Sequence, residues 1–200
     1  LGARVSDLQL NGVEIQKINI SSKQKESALT VESMSLMAIK ECPAADFYEG
    51  LGALKGVDLT AASIGFKVIN TRGFNSTSPV RSLQIIDGVD NQAPGLNFSL
   101  GNFLGSSELD LKKVDLIVGA SSSFYGPNAF NGVISMETKD PFQFQGLSVQ
   151  AKTAERNLVE TAIRYAKAFQ NKLGEDKFGF KINLSYLKAD DWVADNLDAV

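Results

Sequence analysis

The residues of this 200-residue chain that could serve acid–base chemistry are two acidic pairs, Asp87 with Asp90 and Asp190 with Asp191. The sequence has no histidine and a single cysteine, Cys42. A Ser-His or Cys-His nucleophile is therefore excluded, and a zinc, copper or haem site is not expected. Because no general base, nucleophile or metal-ligand set accompanies the carboxylates, we expect neither an enzyme nor a resident metal or cofactor.

Bulk composition argues against two further classes. The formal net charge is -3, whereas a nucleic-acid-binding protein needs a basic footprint, so no nucleic-acid partner is expected. The sequence contains no run of about eighteen apolar residues, so it predicts no membrane-spanning helix.

The most informative stretch is residues 114–139, VDLIVGASSSFYGPNAFNGVISMETK. Apolar, β-branched runs lie at both ends, with small residues such as Gly119, Gly126 and Gly132 between them. This pattern predicts a strand, a compact loop and a second strand. Glycine permits positive φ and close backbone approach, so the loop is expected to turn tightly or pack closely. Taken on these residues alone, such a loop is most often only a connection.

Other local signals before this stretch predict a small α+β unit. Phe47, Leu51 and Leu54 lie on one helical face, which predicts a helix over residues 44–54 that follows Pro43. The long loop at residues 90–107 is expected to be functional or disordered.

Ser107 and Asp110 match a capping box, which predicts a short helix over residues 108–113. The extended segments have apolar runs bounded by turn residues. An extended segment is predicted over residues 31–39, and strands of one small sheet over residues 57–59, 66–69 and 83–86.

After residue 141 the pattern changes to alternating apolar and polar residues. Residues 147–154 alternate, and residues 177–186 do so over about the length of one barrel strand. Residues 159–173 fit both the two-residue period of a strand and the period of a helix, because their apolar residues alternate and also fall near helical spacing. The pattern alone slightly favours a helix there.

Three ordered segments resemble the TonB-dependent outer-membrane receptors. Residues 117–139 are similar to the signature that closes the family's plug domain just before its barrel. Residues 70–75, NTRGFN, resemble the "(I/V)RGF" strand end, and residues 83–89, LQIIDGV, resemble the "xxxxIDGV" strand. Val118 stands where the family usually has arginine, so we assign no ionic role to that position.

This resemblance implies an α+β plug domain, with a small mixed sheet and short helices, followed by the first strands of a large antiparallel transmembrane β-barrel. The implied divisions are an N-terminal arm or linker at 1–24, a plug at 25–140 and about three barrel strands at 141–200. Residues 159–173 are then a strand rather than a helix. Because the family's full barrel has about 22 strands, the chain would be a piece of a larger protein.

The same resemblance implies TonB-energised, ligand-gated uptake of a scarce nutrient across the Gram-negative outer membrane, with the plug occluding the barrel lumen. The implied partners are the periplasmic domain of TonB, a small-molecule or oligomeric nutrient, and outer-membrane lipid around the full barrel. The ligand class stays open between siderophore, cobalamin, oligosaccharide and peptide. A non-transporting receptor or complex subunit on the same fold, which relays signals or anchors a partner, is the alternative.

In the family, extracellular plug loops lie before the RG strand and after the IDGV strand, which here are residues 60–63 and 91–100. Their polar and aromatic side chains could bond and stack on a polar ligand, although a loop that only packs on the barrel wall is equally compatible. The predicted ligand-contacting residues are Ser63, Gln92, Asn97 and Phe98.

Charged residues beside the apolar strands would be costly if left alone. We therefore predict that Arg72, Asp87 and Glu137 belong to an ionic network within the plug, whose contacts can break during gating. For Asp115 and Lys139, solvated positions at strand ends are an equal alternative.

The apolar, alternating segment VEIQKINI, residues 13–20, precedes the plug and is the predicted TonB-coupling segment. An exposed extended segment can add as an edge strand to a partner's sheet, with affinity supplied by main-chain hydrogen bonds. The residues predicted to couple are Val13, Ile15, Ile18 and Ile20. The N-terminus would accordingly lie in the periplasm.

Replacing Ile18 tests this segment. Proline removes an amide donor and restricts φ, so Ile18→Pro should abolish ligand uptake by cells while ligand binding stays unchanged. Ile18→Ala keeps the backbone donor and should be milder. Normal uptake by the proline variant would show that the coupling segment lies elsewhere.

Overall fold

The computed structural model describes residues 29–42, 46–96, 98–99, 105–171 and 176–191. Within these residues the chain forms a five-stranded mixed sheet, a two-stranded hairpin and a three-stranded antiparallel meander. The mixed sheet, the hairpin and the short helices precede residue 141 and are called the α+β unit below. The meander follows it.

The five-stranded sheet is built around the two strands predicted from residues 114–139. It contains β1 (Thr30–Ser35), β4 (Leu83–Ile86), β5 (Val89–Asp90), β6 (Leu111–Val118) and β7 (Val133–Thr138). The spatial order is β1-β6-β7-β4-β5. The central pair β6 and β7 is antiparallel, while β4 runs parallel to β7. The two apolar runs of the most informative stretch are therefore direct neighbours.

The hairpin formed by β2 (Val57–Ala61) and β3 (Lys67–Thr71) is a sheet of its own. The prediction of one small sheet for all of these strands is wrong. At the end of β3, the amide and hydroxyl of Thr71 bond to Asn131 rather than to a neighbouring strand. Side-chain contacts thus join the hairpin to the β6–β7 loop.

The extended segment predicted over residues 31–39 ends early, because β1 is followed by α1 (Leu36–Lys40). The Ser35 side chain caps α1 by accepting the Ala38 amide. Among the described residues, no helix has the length and hydrophobicity to cross a membrane. Two further short segments are a 3-10 turn at Pro79–Arg81 and α3 (Ser122–Tyr125).

The helix predicted around Phe47 is shorter than expected. The α-helical part, α2, spans Phe47–Gly50 and continues as a 3-10 turn at Leu51–Ala53. Asp46 caps α2 by accepting an amide hydrogen bond at 2.7 Å. Gly50 and Gly52 lower the helix propensity of this segment, which accounts for its short length. The first predicted residues, 44 and 45, lie outside the described part.

The helix predicted over residues 108–113 is wrong. Only Glu108–Asp110 form a 3-10 turn, and β6 begins at Leu111. Ser107 makes no capping bond, and its hydroxyl instead donates to Asn183 Oδ1 at 3.1 Å. The long ladder with β7 overrides the local capping signal, as tertiary pairing often does.

The meander consists of β8 (Gly146–Ala154), β9 (Leu158–Gln170) and β10 (Asp176–Lys188), paired antiparallel in the order β10-β9-β8. The segment that fitted both periods is therefore a strand. Alternation gives the meander two different faces. The β9 side chains buried toward the α+β unit include Ala162, Arg164 and Ala166. The exposed opposite face includes Leu147, Val149, Ile163, Tyr165, Phe178, Ile182, Leu184 and Tyr186.

The main apolar core lies within the α+β unit, where α1, α2 and the hairpin cover one face of the five-stranded sheet. Its buried members are Met34, Ile39, Phe47, Tyr48, Leu51, Val57, Ile69, Leu111, Val114, Leu116, Val118, Ile134 and Met136. A smaller cluster around Ile117 and Val133 forms separately. Burial of this apolar surface is the dominant stabilising term for the unit.

A buried polar network holds the β6–β7 loop, with Asn131 at its centre. Asn131 Oδ1 accepts from the Thr71 amide at 3.0 Å, and Nδ2 donates to Asn70 Oδ1 at 2.7 Å and to the Phe74 carbonyl at 3.2 Å. The Thr71 hydroxyl donates to the Asn131 carbonyl at 2.6 Å and accepts from the Gly119 amide at 3.0 Å. Such a satisfied network specifies one loop conformation.

Truncation of Asn131 should therefore destabilise the protein. Asn131→Ala leaves the buried Thr71 amide without its acceptor and removes one of the two donors to the Asn70 side-chain oxygen, which keeps the Ser76 amide. This loss should lower the free energy of unfolding by about 2–3 kcal/mol. Ser123→Ala, at an exposed position in the same loop, should change it by less than about 0.5 kcal/mol. Denaturant unfolding of the intact protein measures both values, and equal effects would contradict the role of the network.

Candidate functional site: loops and charges of the α+β unit

The loop after β5 folds back onto the β6–β7 loop. Gln92 forms an isolated bridge with Ser99, and its Oε1 accepts a hydrogen bond from Asn128 Nδ2 at 3.1 Å. Gln92 Nε2 is buried and has no acceptor among the described residues. An unsatisfied buried donor costs about 1–3 kcal/mol. This amide can therefore still donate a hydrogen bond to a polar group, which would remove that cost.

Ser63 and Phe98 lie on loops that touch each other. Ser63 Oγ accepts the Phe66 amide at 3.1 Å and closes the turn of the hairpin. The Phe66 ring packs edge-on against Phe98, with centroids 6.1 Å apart. The turn that Ser63 closes therefore packs on the second predicted loop through Phe66, which lies just beyond the first predicted loop. Asn97 lies outside the described residues.

The same loop is attached to α2 through Tyr48. This side chain is 2% exposed, and its hydroxyl shares a hydrogen bond with Ser99. Burial raises the pKa of the phenol above its ordinary value, so the group stays neutral at physiological pH. The phenol thus acts as a neutral anchor for one end of the loop.

Arg72 lies at one end of the five-stranded sheet. Its guanidinium donates to Thr30 Oγ1 at 3.1 Å and lies against the backbone of Gly119. The φ of +89° at residue 119 favours glycine, and a Cβ there would be 3.0 Å from the guanidinium, which would have to shift slightly.

Asp87 and Glu137 lie toward the other end of the sheet. The Asp87 carboxylate accepts from the Thr138 amide at 2.9 Å and from its hydroxyl at 2.5 Å. Glu137 pairs with Lys112 on the neighbouring strand. The structure therefore gives a different partner to each of the three residues Arg72, Asp87 and Glu137.

The charges that the structure does bring together centre on Asp110, which is 3% exposed. Arg164 Nε donates to its Oδ1 at 2.5 Å, and Lys181 Nζ donates to its Oδ2 at 2.8 Å. Arg164 also donates to the carbonyls of Phe144 and Lys139, at 2.8 and 3.1 Å. One carboxylate of the α+β unit therefore binds both β9 and β10.

Local structure fixes the position of this cluster. The Lys139 amide donates a hydrogen bond to the Asp110 carbonyl at 2.7 Å, and this bond holds the 3-10 turn at Glu108–Asp110 in place. On the facing strand, the small side chains of Ala162 and Ala166 leave room for the Arg164 guanidinium between them. A buried ion pair with these additional bonds is well satisfied.

Positive charge exceeds negative charge here. Lys139 is mostly buried, and its ammonium donates to the Leu109 carbonyl. Burial, together with the nearby charges of Lys40 and Arg164, lowers the pKa of Lys139 below its ordinary value. Asp110 acts in the opposite direction with a smaller effect.

The sequence analysis placed Asp110 only in a capping box and assigned no role to Arg164 or Lys181. The available signal was an arginine among small inward-facing residues of an alternating strand, but its partner could not be read from that pattern. The residues predicted for coupling lie outside the described part of the chain and stay a prediction: Val13, Ile15, Ile18 and Ile20.

Comparison with known families assigns the α+β unit. A family model for the TonB-dependent receptor plug domain matches residues 23–133, which is more than half of the chain. The chain belongs to this plug family. The three resembling motifs identified in the sequence were therefore a correct guide to the family.

Solved receptors have the same fold at low identity. The siderophore receptor PirA from Pseudomonas aeruginosa is 20% identical, with a TM-score of 0.54 over 80% of this chain and 28% of PirA. The ferric preacinetobactin receptor BauA from Acinetobacter baumannii is 19% identical, with a TM-score of 0.57 over 82% of this chain and 23% of BauA. The pyoverdine receptor FpvA from Pseudomonas aeruginosa PAO1 is 14% identical, with a TM-score of 0.61 over 82% of this chain and 23% of FpvA.

The chain thus spans about a quarter of the length of these receptors. The predicted fold class, an α+β plug followed by the first barrel strands, is confirmed.

Removing the central carboxylate should destabilise this plug. Asp110→Asn leaves Arg164 buried without a counter-charge, and we expect the free energy of unfolding to fall by about 3–5 kcal/mol. Lys112→Ala removes one half of an exposed pair and should cost less than about 1 kcal/mol. Denaturant unfolding of the intact protein in detergent gives both values.

The double variant Asp110→Asn/Arg164→Gln tests whether the two side chains act as a pair. Because it removes both charges, it should be more stable than the sum of the two single effects predicts. Simple additivity would mean that the contact contributes nothing to stability.

Proposed function

We propose that this chain is the plug and first wall strands of a receptor for ligand-gated uptake across the Gram-negative outer membrane. Membership of the plug family supports this function. The contact that carries the proposal is the Asp110 cluster, in which one plug carboxylate engages two adjacent wall strands. The proposed divisions remain residues 1–24, 25–140 and 141–200.

The two faces of the meander support its role as a wall. The outward face exposes large apolar side chains, whereas Arg164 and Lys181 on the other face contact the plug. This distribution suits a sheet between lipid and a polar lumen. Further strands of a closed barrel would pair with the edges at β8 and β10 and satisfy their backbone groups.

Energy coupling through TonB and a periplasmic N-terminus complete the proposal. β1 is an edge strand of the five-stranded sheet, with Thr30 paired to Val118 of β6. A pull on the residues before Thr30 would act on a strand with only one neighbour in this sheet. Such a strand can detach from β6 while the ladder between β6 and β7 stays intact.

Ligand contact is proposed at the loops that carry Ser63, Gln92, Asn97 and Phe98. The buried Gln92 amide with its unused donor supports this location. Ferric siderophores are the first class to test, because the compared structures include receptors for them. Their oxygen-rich surfaces can accept a hydrogen bond from an amide.

Uptake by a Gram-negative host that expresses the intact protein tests the function. Labelled ferric siderophores, cobalamin, oligosaccharides and peptides are supplied to cells with and without TonB. We expect accumulation of one ligand class, lost without TonB. Binding without TonB-dependent uptake would instead identify a non-transporting receptor.

Alanine at Gln92, Asn97 and Phe98 together should weaken ligand binding to the intact receptor by about tenfold or more, because polar and stacking contacts are lost. Leu96→Ala, at an exposed position of the same loop, is the matched control and should leave affinity unchanged. Equilibrium binding measures both. Equal affinity of the triple variant and the wild type would exclude direct contact.

A further inference from the structure

A cavity of about 550 Å³ lies between α1 and β8, away from the loops proposed to contact the transported ligand. Lys40 of α1, Lys139 after β7 and Lys152 of β8 contribute to its lining, together with Cys42. Its volume falls in the range of about 300–1,000 Å³ that small-molecule sites occupy. The plug and the wall strand each supply part of the lining.

The cavity holds more positive than negative charge. Lys152 is neutralised by Glu108, which also lines the cavity. Lys40 and Lys139 form no ion pair with any carboxylate of the described residues. Lys139 is only 8% exposed. A buried ammonium without a counter-charge is costly, so the cavity is electrostatically prepared for an anion.

The groups around Lys139 lead to the same conclusion. Burial first, and then Lys40 and Arg164, lower its pKa, while Asp110 and Glu108 raise it to a smaller extent. Those two carboxylates are already occupied by other cations. An anion beside Lys139 would offset both the burial and the repulsion between like charges.

We propose that this cavity binds an oxyanion, with Lys139 and Lys40 as its charged ligands. Ser148 and Gln150 of β8 line the same space and can donate hydrogen bonds to it. The oxyanion is a phosphate or carboxylate, either free or carried on a solute that passes between the plug and the wall. This site is separate from the proposed ligand loops and does not depend on which nutrient the receptor transports.

Calorimetric titration of the intact protein tests the proposal. The probes are inorganic phosphate for a free anion and glucose 6-phosphate for an anion carried on a solute, each at ionic strength matched with sodium chloride. Binding of either supports the site, and binding of only one identifies the source. Absence of binding by both overturns it.

Charge variants test the assignment of the two lysines. Lys139→Gln keeps a donor for the Leu109 carbonyl and should weaken binding by about tenfold. Lys40→Gln replaces an exposed residue, so it leaves folding intact, and should weaken binding by about threefold. Lys55→Gln, an exposed lysine outside the cavity, should bind like the wild type. Equal affinity in Lys40→Gln, Lys139→Gln and Lys55→Gln would show that the anion binds elsewhere.

Cys42 gives a local readout, because it lines the same cavity. Bound phosphate or glucose 6-phosphate should slow its alkylation by N-ethylmaleimide relative to the chloride control. The protection should shrink in Lys40→Gln and persist in Lys55→Gln. Binding by calorimetry without protection of Cys42 would place the anion outside this cavity and overturn the proposal.

Discussion

The contact between the plug and its wall strands depends on one buried carboxylate. Asp110 accepts from Arg164 and Lys181, two cations on neighbouring strands. The main apolar cluster of the described residues contains no side chain of β8, β9 or β10. The meander therefore adds no side chain to that cluster, and loss of the carboxylate would leave a buried guanidinium without compensation.

The interior of the plug is stabilised differently. Its core is apolar, and the neutral network around Asn131 joins the hairpin to the β6–β7 loop. Close packing and neutral hydrogen bonds keep water out of the plug interior. The charged groups of an ion pair at an interface can instead bond to water when the surfaces separate. This contrast suits the proposed function, in which a plug keeps its own structure while its contact with the wall changes.

The excess of positive charge at the same interface follows from the shared carboxylates. Asp110 is bound by two cations and Glu108 by Lys152, and neither Lys139 nor Lys40 forms an ion pair with a carboxylate of the described part. The plug-to-wall contact is thus both a mechanical attachment and an electropositive surface. An anion that enters the cavity would stabilise the contact, which gives anion binding a route to influence how firmly the plug is held.

The sequence by itself determined the central strands and the family. The apolar runs of β6 and β7 and the alternation of β10 follow from local periodicity, and the three motifs led to the correct fold class. Local signals failed where packing decided the outcome. The capping box at Ser107 predicted a helix, but the chain forms a 3-10 turn and a strand there. The β2–β3 hairpin, predicted as part of one small sheet, is a separate sheet.

Only the tertiary structure decided which charges meet. Asp110 is separated from Arg164 by 54 residues and from Lys181 by 71. Whether such residues touch depends on strand register and on how the meander packs against the plug, because a shift by one residue turns every side chain to the other face. Composition and periodicity record which face of a strand is buried, but not which distant residue lies opposite.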